Sequence, residues 1–323
     1  MYLYQKFYKM KWILRLCLGI SAFIFVLGCS GYKKQEKISQ AKTSLSEISQ
    51  AKSNKNMLSE AFKSYWYSGD AEVTSYRLEQ ARYGEIREGK AVLIYVTEPF
   101  LPKTQVKADG NAPTNIPVLK LNKTKNYLTG IYPYSIMSST FYPVDDNRHA
   151  LKTSLSIQEW CGHVYSQLNN REQFEFTSHS YFEGEADQQF SLDRTILENE
   201  IWNKLRINPQ GLPIGEISII PSLEYFRTQH LPVQAFSADA QLKRQDSLYS
   251  YSLKYKDTER KLTLYFSAQF PYEIKSWEEE FKSGFGANAQ MLTSKGTLLK
   301  SIKTPYWQQN SNAFLRLRDS LEL

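Results

Sequence analysis

Cysteine is nearly missing from this chain: three occur in 323 residues, at positions 17, 29 and 161. So few thiols exclude a small fold stapled by disulfides, which needs several at short spacing. Catalytic signatures are missing as well. The sequence has no GxSxG elbow, no HExxH helix, no glycine-rich phosphate loop and no DxDxDG calcium loop. Their absence removes the chemistries most often carried by a short motif, and no cofactor or metal is expected. No uncharged apolar run reaches the roughly 20 residues that a helix needs to cross a bilayer. Acidic residues are absent before Glu36.

What stands in that acid-free stretch sets the expectation for the rest. Lys6, Lys9, Lys11 and Arg15 precede Leu16–Cys29, which reads LCLGISAFIFVLGC. Basic, apolar and small-residue regions in that order define a secretory signal peptide over residues 1–28. Val26-Leu27-Gly28-Cys29 resembles the bacterial lipobox, after which Cys29 becomes the acylated first residue; Leu27 is bulkier than the usual Ala or Ser. An ordinary signal peptide with a cysteine near its cleavage site is the alternative. The expected partner is therefore a membrane, held through acylated Cys29, and the expected location is the cell envelope, periplasmic or associated with the outer membrane. One acyl chain binds reversibly at about 0.8 kcal/mol per buried CH₂; the three chains of a lipobox cysteine amount to stable attachment.

The charge supports no nucleic-acid partner. The formal +7 of the whole chain falls to +3 once the four basic leader residues are removed, too small for an electrostatic footprint. With Cys17 lost in the leader and Cys29 acylated, Cys161 remains alone and no internal disulfide can form. The fold must rest on its core, for which 22 Tyr, 17 Phe and 6 Trp supply ample material.

Residues 29–57 read as a polar tether. Ile38-Ser-Gln-Ala-Lys42 echoes in Ile48-Ser-Gln-Ala-Lys52, which allows a nascent amphipathic helix but falls short of the three or four heptads of a coiled coil. A docking helix for a partner is the alternative. The body, 58–281, opens with a helix over Leu58–Tyr67, broken by Ser68-Gly69-Asp70. Strands follow at Val73–Leu78 and Ala91–Val96, the latter fitting burial on both faces. More are expected at Thr104–Ala108, Val118–Leu121, Tyr127–Tyr134, Ile136–Tyr142 and Leu151–Ile157. Trp160–Leu168 and Gln173–Phe182 flank a turn at Asn169-Asn170. One helix, Arg194–Ile207, carries Leu197, Ile201, Trp202 and Leu205 on one face, with Ser191 or Asp193 as its cap and Asn208-Pro209 as its stop. Strands resume at Glu216–Ile220, Val233–Leu242, Leu248–Lys256, Lys261–Ala268 and Tyr272–Trp277. Residues 282–323 read as a C-terminal extension with a weaker strand near Leu298–Ile302 and a helical stub at Asn312–Leu321.

Many hairpin-linked strands with few helices predict a mainly β fold: a strongly curved antiparallel sheet or incomplete barrel, with the Arg194 helix against its open side. A two-sheet sandwich is the alternative.

Two constellations could carry function. Across a hairpin closed by Asn169–Arg171, Cys161 stands opposite His179 and His163 opposite Thr177, near enough for a thiol–imidazole contact. This makes Cys161, His163 and His179 the candidates for an envelope hydrolase or metal-dependent enzyme. The alternative reading is a buried cysteine beside a hydrogen-bonded histidine, and a one-residue slip would undo the pairing. Acidic Glu183, Glu185 and Asp187, and the run Glu278-Glu279-Glu280, read as solvated surface. The second constellation is aromatic: Tyr132, Tyr134, Tyr142, Trp160, Tyr165, Tyr181 and Trp202 could line a concave site for an acyl chain or a glycan.

The segments YWYSGDAEVTSY, LEQARYGEIREGKAVLIYVTEPFLP, IPVLKLN, GIYPYSIM, SIQEWCGHVY and SHSYFEGEAD resemble an uncharacterised lipoprotein family of Bacteroidetes-type envelopes, over most of Tyr65 to Trp277. Some members carry the loose label "septum formation inhibitor Maf". The basic S-x-S-P-R-R-like start of true Maf pyrophosphatases is not found here, so the resemblance implies lipoprotein status and no catalytic residue. A lipid-anchored binding or assembly module, with a lipid, glycan or envelope-protein partner, is the leading expectation. A cell-division or wall-associated scaffold is a third.

Overall fold

The computed structural model describes residues 58–145 and 147–323, which belong to the compact unit Ser53–Leu323. The residues read as a signal peptide, an acylated Cys29 and a tether lie outside the described residues.

A short helix, α1 (Glu60–Trp66), starts where Ser59 accepts the Phe62 amide at 3.1 Å, and it buries Phe62 and Trp66. Nine strands then run as β1 (Ala71–Arg82), β2 (Glu85–Leu101), β3 (Val106–Lys107), β4 (Ile116–Thr129), β5 (Tyr132–Pro143), β6 (Lys152–Glu159), β7 (Gly162–Asn170), β8 (Phe174–Ser180) and β9 (Gln188–Leu192). After β10 (Ile196–Leu197) comes α2 (Glu198–Ile207), then β11 (Gly215–Ile220) and α3 (Leu223–Gln229). The chain closes with β12 (Phe236–Gln245), β13 (Leu248–Tyr255), β14 (Lys261–Ser267), β15 (Ile274–Ser283), β16 (Gln290–Thr304) and α4 (Arg316–Ser320).

All the strands belong to one sheet, in the order β10-β11-β12-β13-β14-β15-β16-β1-β2-β4-β5-β6-β7-β8-β9, with β3 beside β2. Neighbours are antiparallel except β10 with β11. The protein is thus mainly β, one strongly curved sheet not closed into a barrel, and not the two-sheet sandwich. The curvature follows from connectivity. β9 and β10 form the two edges of the sheet, yet only residues 193–195 separate them. Those four peptide steps span at most about 14 Å, so the sheet must bend until its edges nearly meet.

The helix read as lying against the open side lies inside instead. Every residue from Glu198 to Arg206 is buried, and α2 is reached from all round. Tyr95 of β2 donates to the Trp202 carbonyl, Asn203 donates to the Leu119 carbonyl of β4, and Trp202 meets Trp277 of β15 edge-on. Its start also differs from the sequence reading. Ile196 and Leu197 pair with Ile219 and Ile220, so the helix begins four residues later, Leu197 takes the cap position without a side-chain bond, and neither Ser191 nor Asp193 caps it. Asn208-Pro209 ends it as expected.

Residues 282–323 are built into the body. β16 is inserted between β15 and β1, and beyond it Leu321 and Leu323 pack on Val92, Ile94 and Val96, on the outer side of β2. The dual-faced burial read from AVLIYV has this physical origin: Ala91, Leu93 and Tyr95 enter the main core, while the alternate residues lie under the C-terminal turn.

Gly296 on β16 faces Trp277, and a Cβ there would fall 2.2 Å from the indole ring. Gly296→Ala should therefore cost about 1–3 kcal/mol through overpacking, read as a lower denaturant midpoint. Gly110→Ala, in open space, should leave the midpoint unchanged.

Candidate functional site

The thiol–imidazole pair does not form. The turn between β7 and β8 is Arg171–Gln173, so Leu168 pairs with Phe176 and Tyr165 with His179. The sequence reading placed the turn two residues earlier, a register slide of four. Such a slide keeps every residue on its face while moving its partner, so alternation alone cannot detect it. Cys161 lies in the turn between β6 and β7, exposed, its amide donating to Glu159 Oε2 at 2.7 Å. Hydrogen bonding and the charge of Glu159 push its thiol pKa up, the reverse of what a nucleophile needs. His163 pairs with Gln158 on the neighbouring strand, and His179 sits 3.3 Å from Asp187 at the exposed surface. Among the described residues no three His, Cys, Asp or Glu side chains gather in a metal-binding group.

The aromatic set divides. Trp202 belongs to the interior, and Tyr165 is exposed. Tyr132, Tyr134 and Trp160 do come together, joined by two residues the sequence reading passed over, Tyr83 and Phe285. Trp160 lies 6.4 Å from Tyr132, and Tyr132 lies 6.0 Å from Tyr134. The Tyr134 and Tyr83 hydroxyls are 2.7 Å apart, and Tyr83 lies 6.2 Å from Phe285. Arg82 fixes the middle of this belt, donating to both hydroxyls and, through Nη1, to the Thr228 carbonyl at 2.9 Å. Tyr181 covers Gly162, whose Cβ would meet the Tyr181 ring at 2.8 Å. The belt follows the hairpin turns at one end of the sheet.

A shallow cleft of about 500 Å³ is lined in part by Tyr127 and Tyr134; another is built from a different set of residues. Between the inner face of β7, β8 and β9 and the segment from α3 to Val233 lies a cleft of about 310 Å³, at the lower end of the range for small-molecule sites. Val164, Phe176, Phe190, Leu223 and Phe226 make its apolar wall. Buried Ser166 and Ser178 satisfy one another at 2.8 Å, so they present no orphaned polar group to a guest. At the rim, Glu185 Oε1 is 2.9 Å from Arg227 Nη1 and 3.0 Å from His230 Nδ1. The Arg227 guanidinium stacks 4.6 Å over Phe182, and its Nε–H has no acceptor.

Helix α3, one wall of the cleft, went unread because it has only seven residues. The signal that could have found it is Pro221-Ser222 ahead of Leu-Glu-Tyr-Phe, a cap followed by an acid in the first turn; Ser222 does accept the Tyr225 amide at 3.2 Å. Its inward side is held electrostatically. Lys125 donates to Glu224 at 2.6 Å and to Gln80 at 3.0 Å. Lys123 approaches Glu224 at 3.6 Å and lies 4.6 Å over the Trp202 ring. Burial works against the Glu224 carboxylate, but the two lysines override it and hold its pKa down at about 2. Lys123 goes the other way: burial, with Lys125 alongside, lowers its pKa.

The fold and cleft define a β body curved round a central helix, with a half-apolar cleft at its seam. No protein-family model matches the chain, and no curated protein matches it. Among solved structures, it is similar to a beta-barrel-like protein of the domain of unknown function DUF1849 from Brucella abortus, at 8% identity over 72% of this chain and 98% of that one, with a TM-score of 0.44.

Proposed function

We propose that this chain is a lipid-anchored cell-envelope protein, tethered through Cys29, whose β body is a binding module for an acyl-chain amphiphile. The observation that carries the reading is the seam cleft. Its walls are aliphatic and aromatic, its two buried hydroxyls are already paired, and its charged groups, Glu185, Arg227 and His230, gather at the rim, where a polar head can meet them. That division suits a molecule with one apolar and one polar end. A glycan fits less well, because it needs polar groups spread along the site rather than collected at one end. Cys161, His163 and His179 supply no competing enzyme reading, being exposed and apart.

The test has two arms. Growth with a clickable palmitate analogue should label the wild-type protein and not Cys29→Ser; an unlabelled wild type removes the anchor. Titration of the chain from residue 29, carrying Cys29→Ser, with the fluorescent fatty acid cis-parinaric acid should saturate near one probe per chain. Val233→Trp, filling the cleft from its half-buried loop side, should weaken the probe about tenfold or more at unchanged Tm. A flat titration, or equal affinity in the variant, removes the cleft.

A further inference from the structure

Five turns at one end of the sheet each carry an apolar or aromatic side chain. At the end where β1 passes to β2, β4 to β5, β6 to β7, β8 to β9 and β15 to β16, the turn positions hold Tyr83, Ile131, Trp160, Tyr181 and Phe285. The β13–β14 turn at this same end, Lys256-Asp257-Thr258-Glu259-Arg260, is polar. At the other end the β7–β8 turn is Arg171-Glu172-Gln173 and the β12–β13 turn is Asp246-Ser247, while the β14–β15 turn holds Phe270 and Tyr272. The apolar tips do not pack the core. Ile131 is 84% exposed, Trp160 69% and Phe285 64%. A β-branched residue in a two-residue hairpin turn, where Gly, Asn, Asp or Ser are favoured, gains nothing for folding when it stands in water.

This end is also where the cleft opens. His230 at its rim lies 6.3 Å from Phe285, and Glu185 lies three residues beyond Phe182 in the loop that Tyr181 opens. The tips are single side chains on separate hairpins, with Trp and Tyr prominent, which matches the amphipathic rings that settle at headgroup level. We propose that this rim docks on the surface of a lipid bilayer through Ile131, Trp160 and Phe285, seating the mouth of the cleft against the membrane so that an amphiphile can pass between bilayer and cleft. The inference rests on the envelope reading for one thing, a bilayer within reach. From Cys29 to Leu58 the chain can extend about 100 Å, against about 40 Å for the length of β1, so an anchored body can present its far end to the same membrane. Glu85, Glu159, Glu183 and Asp187 lie within a few residues of the tips in sequence, so docking should be apolar, and weaker on anionic lipid at low salt.

The experiment is co-sedimentation of the chain from residue 29, carrying Cys29→Ser so that no acyl group contributes, with phosphatidylcholine vesicles, with and without phosphatidylglycerol. The expected result is binding to phosphatidylcholine that salt changes little, and weaker binding to phosphatidylglycerol-containing vesicles at low salt that recovers as salt is raised. Ile131→Ser/Trp160→Ser/Phe285→Ser should weaken it about tenfold or more at unchanged Tm, while Trp307→Ser/Leu315→Ser, exposed but not on these tips, should leave it intact. No vesicle binding by the parent, equal binding by the rim variant, or loss of a sedimenting dimer in that variant, which would make a second copy the occupant, each overturns the proposal. The cleft reading stands or falls separately on the probe titration, which needs no vesicle.

Discussion

Arg206→Ala should cost about 3–5 kcal/mol, the largest single loss expected from a side chain in this protein. Arg206 ends the central helix and is enclosed. Its two terminal nitrogens each donate to Glu72 at 2.7 Å, its Nε donates to the Pro271 carbonyl at 2.9 Å, and its plane lies 5.0 Å from Trp66 and 4.7 Å from Tyr95. Truncation leaves the Glu72 carboxylate buried, with only Tyr65 and Thr74 as side-chain donors, and opens a gap between two rings. At about 2–4 °C per kcal/mol for a domain of this size, Tm should fall by about 10 °C or more. Arg206→Lys should recover little, since an ammonium cannot reproduce the fork or the stacking. The double variant Glu72→Leu/Arg206→Met should lie far closer to the wild type, because no unpaired charge remains. Calorimetry on the four proteins separates the pair's net contribution from the penalty of breaking it; a single variant as stable as the double would deny that the charge is buried.

Acid should unfold the body through the same interior charges. Burial works to raise the Glu72, Glu198 and Glu224 carboxyls, and in each case cations override it and hold the pKa below the ordinary value: Arg206 for Glu72, Arg260 for Glu198, the two lysines for Glu224. A depressed folded-state pKa contributes stability that is complete above the unfolded value, near 4.5, and is lost as pH falls towards the folded one. For Glu224, between 4.5 and about 2, the interval corresponds to about 3 kcal/mol. Urea midpoints should therefore be level above about pH 5 and fall steeply below it. Glu224→Gln should be strongly destabilised at neutral pH and closer to wild type at about pH 3, where protonation of the unfolded chain has already removed most of the wild-type carboxylate's contribution. A variant equally impaired at both pH values would assign Glu224 a packing role instead.

The parts of this molecule legible in the sequence are those whose signal is local. Alternation over β13 and β14, the Ser68-Gly69-Asp70 break after α1 and the Asn208-Pro209 stop of α2 depend on neighbours a few residues away. The interior of α2 depends on partners far along the chain. Read by periodicity, Glu198, Glu200, Lys204 and Arg206 belong to a solvated face; they are buried because Arg260, Ala150 with His149, Arg148 and Glu72 come to meet them. The weak β16 pattern became a central strand for a similar reason: its Gly296 has meaning only opposite Trp277. Glu279, read as part of a solvated run, reaches inward to Arg260 at 2.7 Å. Tyr132, Tyr134 and Trp160 were read together and do lie in one row of ring contacts, but none of them lines the cleft. The cleft was not legible, since it combines one face of three strands with a helix too short to show a period.

Native mass spectrometry of the protein purified from its own cells, with no fatty acid added, reaches the central claim most directly. The wild type should carry one non-covalent acyl-bearing molecule per chain, released on mild activation, and Val233→Trp should lack it. A bare polypeptide mass in both, from preparations that retain full thermal stability, would contradict the cleft as the working part of this protein.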